Sequence, residues 1–226
     1  MIRGVIFDLD GTLVDTLEDL AGTMNHLLRR DGYPVHPVED YRYFVGRGIL
    51  NTIREALPEA EAGRAESYLD DFTAFYEGHC LDATRPYEGI PELLEDLRTD
   101  GYALAVVTNK NEALARRIVG ALFPGFPLEL VRGARPGCPL KPDPRGALET
   151  VTALGLKPRE IVMAGDSGVD METACGAGFF PCGVLWGYRA REELAGAGAQ
   201  FFADHPREVG EFVRSKDPFD FPPENY

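Results

Sequence analysis

Two aspartates one residue apart, Asp8 and Asp10, close an apolar run, Gly4-Val5-Ile6-Phe7, and Gly11-Thr12 then turns the chain. The run reads as a buried strand. Side chains alternate along a strand, so both carboxylates set out on the same face. Like charges held that close repel unless a cation or a proton lies between them. A metal ion, with one carboxylate left over for chemistry, resolves the conflict. The plainer alternative is an ordinary strand running into an Asp-Gly turn.

Further residues of matching chemistry follow. Met163-Ala164-Gly165-Asp166-Ser167-Gly168-Val169-Asp170 is a second apolar strand that ends in a carboxylate on a glycine-rich turn. Asp170 suits the first turn of a helix, where an acid is favourable, whereas Asp166 at a strand tip has less structural reason to be there. Thr108-Asn109-Lys110 follows a strand expected over 102–107 and precedes a helix expected over 111–122. That order predicts a hydroxyl, an amide and free backbone N–H groups at a helix N-terminus, which together make an anion site. Lys141 stands before Pro142-Asp143-Pro144, where the prolines stiffen the chain ahead of another helix and narrow the directions a long cation can take. Clustered carboxylates suit Mg²⁺, which takes a few of them with water and a phosphate oxygen. The lysine and the helix N-termini suit a doubly charged phosphate.

These groups act together only if the fold brings them to one edge. From residue 86 onward, helices expected over 91–98, 111–122, 144–154, 169–177 and 191–195 alternate with short apolar strands over 102–107, 128–131, 161–164, 180–185 and 201–203. That alternation predicts an α/β fold, a Rossmann-like parallel sheet with helices on both faces. Right-handed crossovers place every strand's carboxyl end on one edge, where ligands bind. Between the first strand and this continuation the patterns are helical. Leu17, Leu20, Ala21, Met24, Leu27 and Leu28 share one helix face, and Tyr68, Leu69, Phe72, Phe75 and Tyr76 another. We therefore expect a discontinuous core over residues 1–14 and 83–226, with an α-helical cap domain inserted over 15–82.

Composition limits the function. The chain has 226 residues, 44% hydrophobic and 27% charged, with a formal net charge of −14. Such acidity argues against nucleic acid and anionic membranes as partners. No apolar run approaches the roughly 20 residues needed to span a bilayer. The first strand starts almost at the N-terminus and leaves no room for a signal peptide. Cys80, Cys138, Cys175 and Cys182 form no CxxC pair. A cytoplasmic protein, monomer or homodimer, is the expectation.

Taken together, Asp8-Leu9-Asp10-Gly11-Thr12, Thr108-Asn109, Lys141 before Pro142, and Gly165-Asp166-Ser167 with Asp170 resemble the four motifs of the haloacid dehalogenase superfamily. They look most like its phosphatases with a helical cap after the first strand. Asp15-Thr16, Val45-Gly46-Arg47-Gly48 and Pro86-Tyr87-Glu88-Gly89 resemble the phosphoglycolate phosphatase branch. The resemblance implies that Asp8 attacks phosphorus and becomes an aspartyl phosphate. Asp10 then protonates the leaving alcohol and later deprotonates the hydrolytic water. It further implies that Thr108, Asn109, Lys141 and Gly11 surround the phosphoryl group. The resemblance also implies Mg²⁺ held by Asp8, the Asp10 backbone carbonyl and Asp166, with Asp170 and Ser167 behind them, and a small phosphate ester as substrate.

Arg47, flanked by glycines, can approach a ligand and pair with a carboxylate such as that of 2-phosphoglycolate. The alternative is a loop arginine paired with Glu39 or Asp40. A sugar-phosphate phosphatase or phosphomutase of the same superfamily is the nearest rival. The related mutases carry a histidine on the first cap helix where this chain has Leu20. A phospho-accepting signalling module would use similar acids, a hydroxyl and a lysine, but would have no need of the cap or of Asp10.

Overall fold

The structure is a computed structural model and describes residues 1–127 and 130–215. Strand β1 (Gly4–Phe7) is buried on both faces, as its continuous apolar run requires. After Asp8 the chain coils tightly, with the amides of Thr12, Leu13 and Val14 all donating to Leu9 O. It then enters the two-residue strand β2 (Val14–Asp15) and helix α1 (Leu17–Arg30). Glu18 and Asp19 in the first turn of α1, and Arg29 and Arg30 in the last, complement the helix dipole.

Three further helices follow: α2 (Tyr41–Phe44), α3 (Ile49–Ala56) and α4 (Ala65–His79). Tyr68, Phe72 and Tyr76 form the buried stripe of α4, which packs on α1 and α3. Phe75, expected on the same stripe, lies to one side and stacks between His26 and His79. The chain returns through β3 (Arg85–Pro86), which pairs antiparallel with β2, Val14 against Pro86 and Asp15 against Arg85. Buried Asp19 holds this junction, its carboxylate accepting from the amides of Ala83 and Thr84, both at 2.9 Å, and from Thr84 Oγ1 at 2.7 Å.

The remainder alternates as α5 (Ile90–Thr99), β4 (Ala103–Asn111), α6 (Glu112–Leu122), β5 (Val131–Ala134), α7 (Arg145–Ala153), β6 (Ile161–Gly165), α8 (Gly168–Ala177), β7 (Phe180–Val184), α9 (Arg191–Gly196), β8 (Phe201–Ala203) and α10 (Pro206–Ser215). Six strands form one parallel sheet in the order β5-β4-β1-β6-β7-β8. This is the α/β fold anticipated above.

Some details differ from the sequence reading. Strand β4 continues through Thr108, Asn109 and Lys110 to Asn111, with an irregular register against β5 between Val107 and Asn111. Thr108 and Asn109 therefore stand on the strand end rather than on a helix N-terminus. Asn111 caps α6, its Oδ1 accepting from the amides of Ala113 and Leu114. The strand expected over 128–131 begins only at Val131, and Leu128 and Glu129 lie outside the described residues. Helix α10 is not anticipated by the sequence reading; its Phe212 stacks on Phe201 of β8 at 4.2 Å. The expected irregular tail over 217–226 also lies outside the described residues.

Candidate active site

Three carboxylates converge where β1 and β6 end side by side. Acceptor atoms of Asp8, Asp166 and Asp170 all lie within 4.8 Å of one another, and all three residues are buried. Parallel pairing of Phe7 with Ala164 puts the residues that follow each strand at the same edge. Lys141 reaches into the cluster, its Nζ 2.8 Å from Asp8 Oδ1 and 2.7 Å from Asp170 Oδ1. Asp166 is fixed by two donors, Thr12 Oγ1 at 3.1 Å and the backbone amide of Tyr188 at 2.8 Å. Asp170 Oδ2 accepts from the amide and hydroxyl of Ser167, so it caps α8 and serves the cluster at once.

The carboxylate of Asp10 is not in this cluster. After Leu9 the backbone leaves the strand path, and Asp10 Oδ1 meets Lys110 Nζ at 2.8 Å and Thr16 Oγ1 at 2.7 Å. The repulsion expected between Asp8 and Asp10 is thus resolved by two separate lysines rather than by one ion between the carboxylates. Any contribution of Asp10 to a metal falls to its backbone carbonyl.

Both aspartates line a cavity of about 500 Å³ between the sheet edge and the helices over α1 to α4. Backbone carbonyls of that helical layer are held from the sheet side. Asn109 Nδ2 donates to Gly46 O at 2.9 Å, and Arg189 Nη2 donates to Val45 O at 2.9 Å.

Residues 5–184 match the sequence profile described as haloacid dehalogenase-like hydrolase. The chain belongs to that family. It is 32% identical over 187 residues to the phosphoglycolate phosphatase of Aquifex aeolicus, covering 83% of this chain and 86% of that protein. It is also 32% identical over 220 residues to the N-acetylmuramic acid 6-phosphate phosphatase of Pseudomonas aeruginosa, covering 92% and 93% respectively. A crystal structure from Lactobacillus delbrueckii subsp. bulgaricus, provisionally named a phosphoglycolate phosphatase, superposes with a TM-score of 0.86 at 30% identity, covering 95% of this chain and 99% of that one.

Within this hydrolase the remaining motif residues fall into two groups. Thr108 borders the cavity, and its Oγ1 accepts from the Lys110 amide at 3.2 Å while its own proton remains available. Asn109 is occupied by backbone: besides Gly46, its Nδ2 donates to Lys141 O and its Oδ1 accepts from Lys141 N at 2.8 Å. It therefore fixes the segment carrying Lys141. The Gly11 amide donates to Val14 O at 2.9 Å, which leaves it no proton for a phosphate oxygen. Gly11 has φ +84°, and a Cβ there would lie 2.3 Å from Asp166 Oδ2. Glycine at this position thus answers to conformation and close packing. Arg47 is exposed at the cavity wall, with no ion pair to Glu39, Asp40 or another of the described residues.

Electrostatics agree with a cation site. Burial pushes the Asp8 carboxyl up to about 7 against the pull of Lys141, with Asp170 adding to the rise. Burial, then the charges of Asp170 and Asp8, push Asp166 up to about 8. Burial alone would lower Lys141, but Asp170 and Asp8 overcome it and hold the ammonium form. Three buried carboxylates facing one ammonium leave negative charge uncompensated, and every donor is a hard oxygen. A small divalent cation such as Mg²⁺ fits that set.

Lys110 and Tyr188 are not reached by sequence reasoning. Lys110 lies in the Thr108-Asn109-Lys110 stretch, yet its type and spacing assign it no role. Tyr188 fixes Asp166 through its amide and meets Thr16 Oγ1, the partner of Asp10, at 3.2 Å through its hydroxyl. Gly187 beside it is a legible clue, since a Cβ there would lie 2.2 Å from Asp166 Cβ.

Among the described residues no helix is long and apolar enough to cross a membrane, and all four cysteines are free.

Proposed function

We propose that the chain is a Mg²⁺-dependent phosphatase that hydrolyses a small phosphate monoester, 2-phosphoglycolate in the first instance, through an aspartyl phosphate on Asp8. The observation that carries this reading is the separation of two aspartates on one cavity: Asp8 within the carboxylate cluster and Asp10 outside it, each with its own lysine. A nucleophile and an acid–base group need distinct surroundings to hold distinct protonation states.

In this mechanism a carboxylate oxygen of Asp8 bonds to phosphorus as the ester P–O bond breaks. Asp10 gives its proton to the departing alkoxide oxygen. It then takes a proton from the water that attacks the phosphorus of the acyl phosphate, which releases inorganic phosphate and restores Asp8. The Thr108 hydroxyl and the Lys141 ammonium hold the phosphoryl oxygens and balance their charge. Asp8, Asp166 and the Asp10 carbonyl would hold Mg²⁺, with Asp170 and Ser167 bracing them. Bound there, the ion supplies the positive charge that lets an anionic nucleophile approach an anionic ester.

Residues 15–82 act as the cap that excludes water and selects the alcohol, and Arg47 meets the glycolate carboxylate. Leu20 lines the cavity with no proton-transfer chemistry of its own, which favours hydrolysis over transfer between sugar hydroxyls. A sugar 6-phosphate is the second reading. The cavity has room for a leaving group larger than glycolate, and the Pseudomonas aeruginosa relative matches over nearly the full chain.

A screen of small phosphate esters with and without Mg²⁺, including 2-phosphoglycolate and N-acetylmuramic acid 6-phosphate, tests the proposal. Turnover of 2-phosphoglycolate that requires the ion supports it. Loss of every activity across the screen would sink it.

A further inference from the structure

Tyr76 lies on α4 and is 1% exposed; its hydroxyl sits beside the Lys110 ammonium, and its own proton has no acceptor among the described residues. A phenol buried in this way ordinarily finds one. A buried hydroxyl proton left without an acceptor is destabilising, so its persistence calls for an explanation. The residue lines the same cavity as Asp8 and Asp10. Lys110 Nζ lies over its ring, 4.7 Å from the centroid, and its positive charge acts on the hydroxyl. Much of the surrounding wall is apolar, including Leu20, Ile49, Leu69 and Phe72. In a mostly apolar cavity, a few polar groups fix ligand orientation.

We propose that the Tyr76 hydroxyl, with the Lys110 ammonium beside it, is a specificity-determining point that receives an oxygen acceptor carried by the leaving alcohol. The donor is neutral, and the adjacent positive charge is the Lys110 ammonium that also pairs with Asp10, so a carboxylate or hydroxyl oxygen on the leaving alcohol is the chemistry it accepts. Both sources share that acceptor. The inference rests on the phosphatase reading above and deepens it, because it names a feature the substrate must carry.

Tyr76→Phe keeps the ring and its contact with Lys110 and removes only the hydroxyl oxygen. The full chain with Mg²⁺ is assayed on two matched pairs of esters: 2-phosphoglycolate against ethyl phosphate, and glycerol 1-phosphate against propyl phosphate. The expected result is a roughly tenfold to hundredfold loss of kcat/KM on the acceptor-bearing member of at least one pair. The loss on its plain partner should be under about twofold, and Tm should be unchanged or higher. Equal losses within both pairs, no loss on either, or a clear fall in Tm overturns the proposal, the last because it gives the hydroxyl a partner in the fold. A wild-type chain that prefers neither acceptor-bearing ester overturns the subsite while the phosphatase reading stands. A wild-type chain inert to all four esters overturns the subsite, and inertness to N-acetylmuramic acid 6-phosphate as well overturns the phosphatase reading.

Discussion

Lys110 Nζ lies 2.8 Å from Asp10 Oδ1, and the two side chains are only 5% and 12% exposed. A pair so enclosed is costly to break from one side, because the survivor keeps its charge in a poorly solvated place. Lys110→Met should therefore destabilise the protein by about 3–5 kcal/mol. Adding Asp10→Asn should recover a large part of that loss, since the stranded charge is gone. Urea unfolding of the two single variants and the double variant measures the coupling. Strict additivity would mean that the pair contributes nothing as a pair.

The raised carboxyls should make binding of the proposed metal depend on pH. An unfolded aspartate titrates near 4, whereas Asp8 and Asp166 in the metal-free fold hold protons to about 7 and about 8. Between those limits the folded chain binds more protons than the unfolded one. Stability of the metal-free protein should then fall as pH rises from about 4 to about 8 and level off above. Mg²⁺ must displace those protons, so its affinity should climb through pH 6–8 and flatten beyond. Calorimetric titration at pH 6.5 in two buffers of different ionisation enthalpy should report proton release on binding. Affinity independent of pH, with no proton release, would contradict this picture.

Much of this site is legible in the sequence, and the reasons differ from residue to residue. Asp8 and Asp166 can be found because a β-branched strand ending in an acid is locally unusual. Parallel pairing of β1 with β6 then brings them together without further information. Lys141 stands out through its prolines. Lys110 is as deeply buried as Lys141, but nothing local distinguishes a buried lysine from a solvated one, and its partner lies 100 positions away. The expected helix N-terminus at Thr108 failed because β4 carries its irregular register through the motif before Asn111 caps α6. Asn109 looked like a phosphate donor by type, yet tertiary contacts give its amide to two backbone segments. Tyr188 acts on Asp166 through a backbone amide, which no side-chain pattern announces.

Arg47 separates the two substrate readings. It is exposed at the cavity wall and has no acidic partner among the described residues. Arg47→Ala should lose about 1.5–3 kcal/mol more transition-state stabilisation with 2-phosphoglycolate than with p-nitrophenyl phosphate, a neutral-alcohol ester. Steady-state kcat/KM values for both esters provide the comparison. Equal losses would make Arg47 a structural or phosphate-binding residue and shift weight to the sugar 6-phosphate.

The proposed aspartyl phosphate should be open to trapping. Asp10→Asn would remove the proposed proton donor and acceptor while leaving Asp8, Lys141 and the carboxylate cluster in place. A substrate with a good leaving group should still phosphorylate Asp8, and the missing base should then slow release. Rapid-quench mixing of Asp10→Asn with p-nitrophenyl phosphate and Mg²⁺, followed by peptide mass spectrometry, should find an acid-stable, base-labile phosphate on Asp8. The same experiment on Asp8→Asn should find none, with turnover abolished and the fold intact. Full steady-state activity in Asp8→Asn, or phosphate recovered on a residue other than Asp8, would contradict the mechanism.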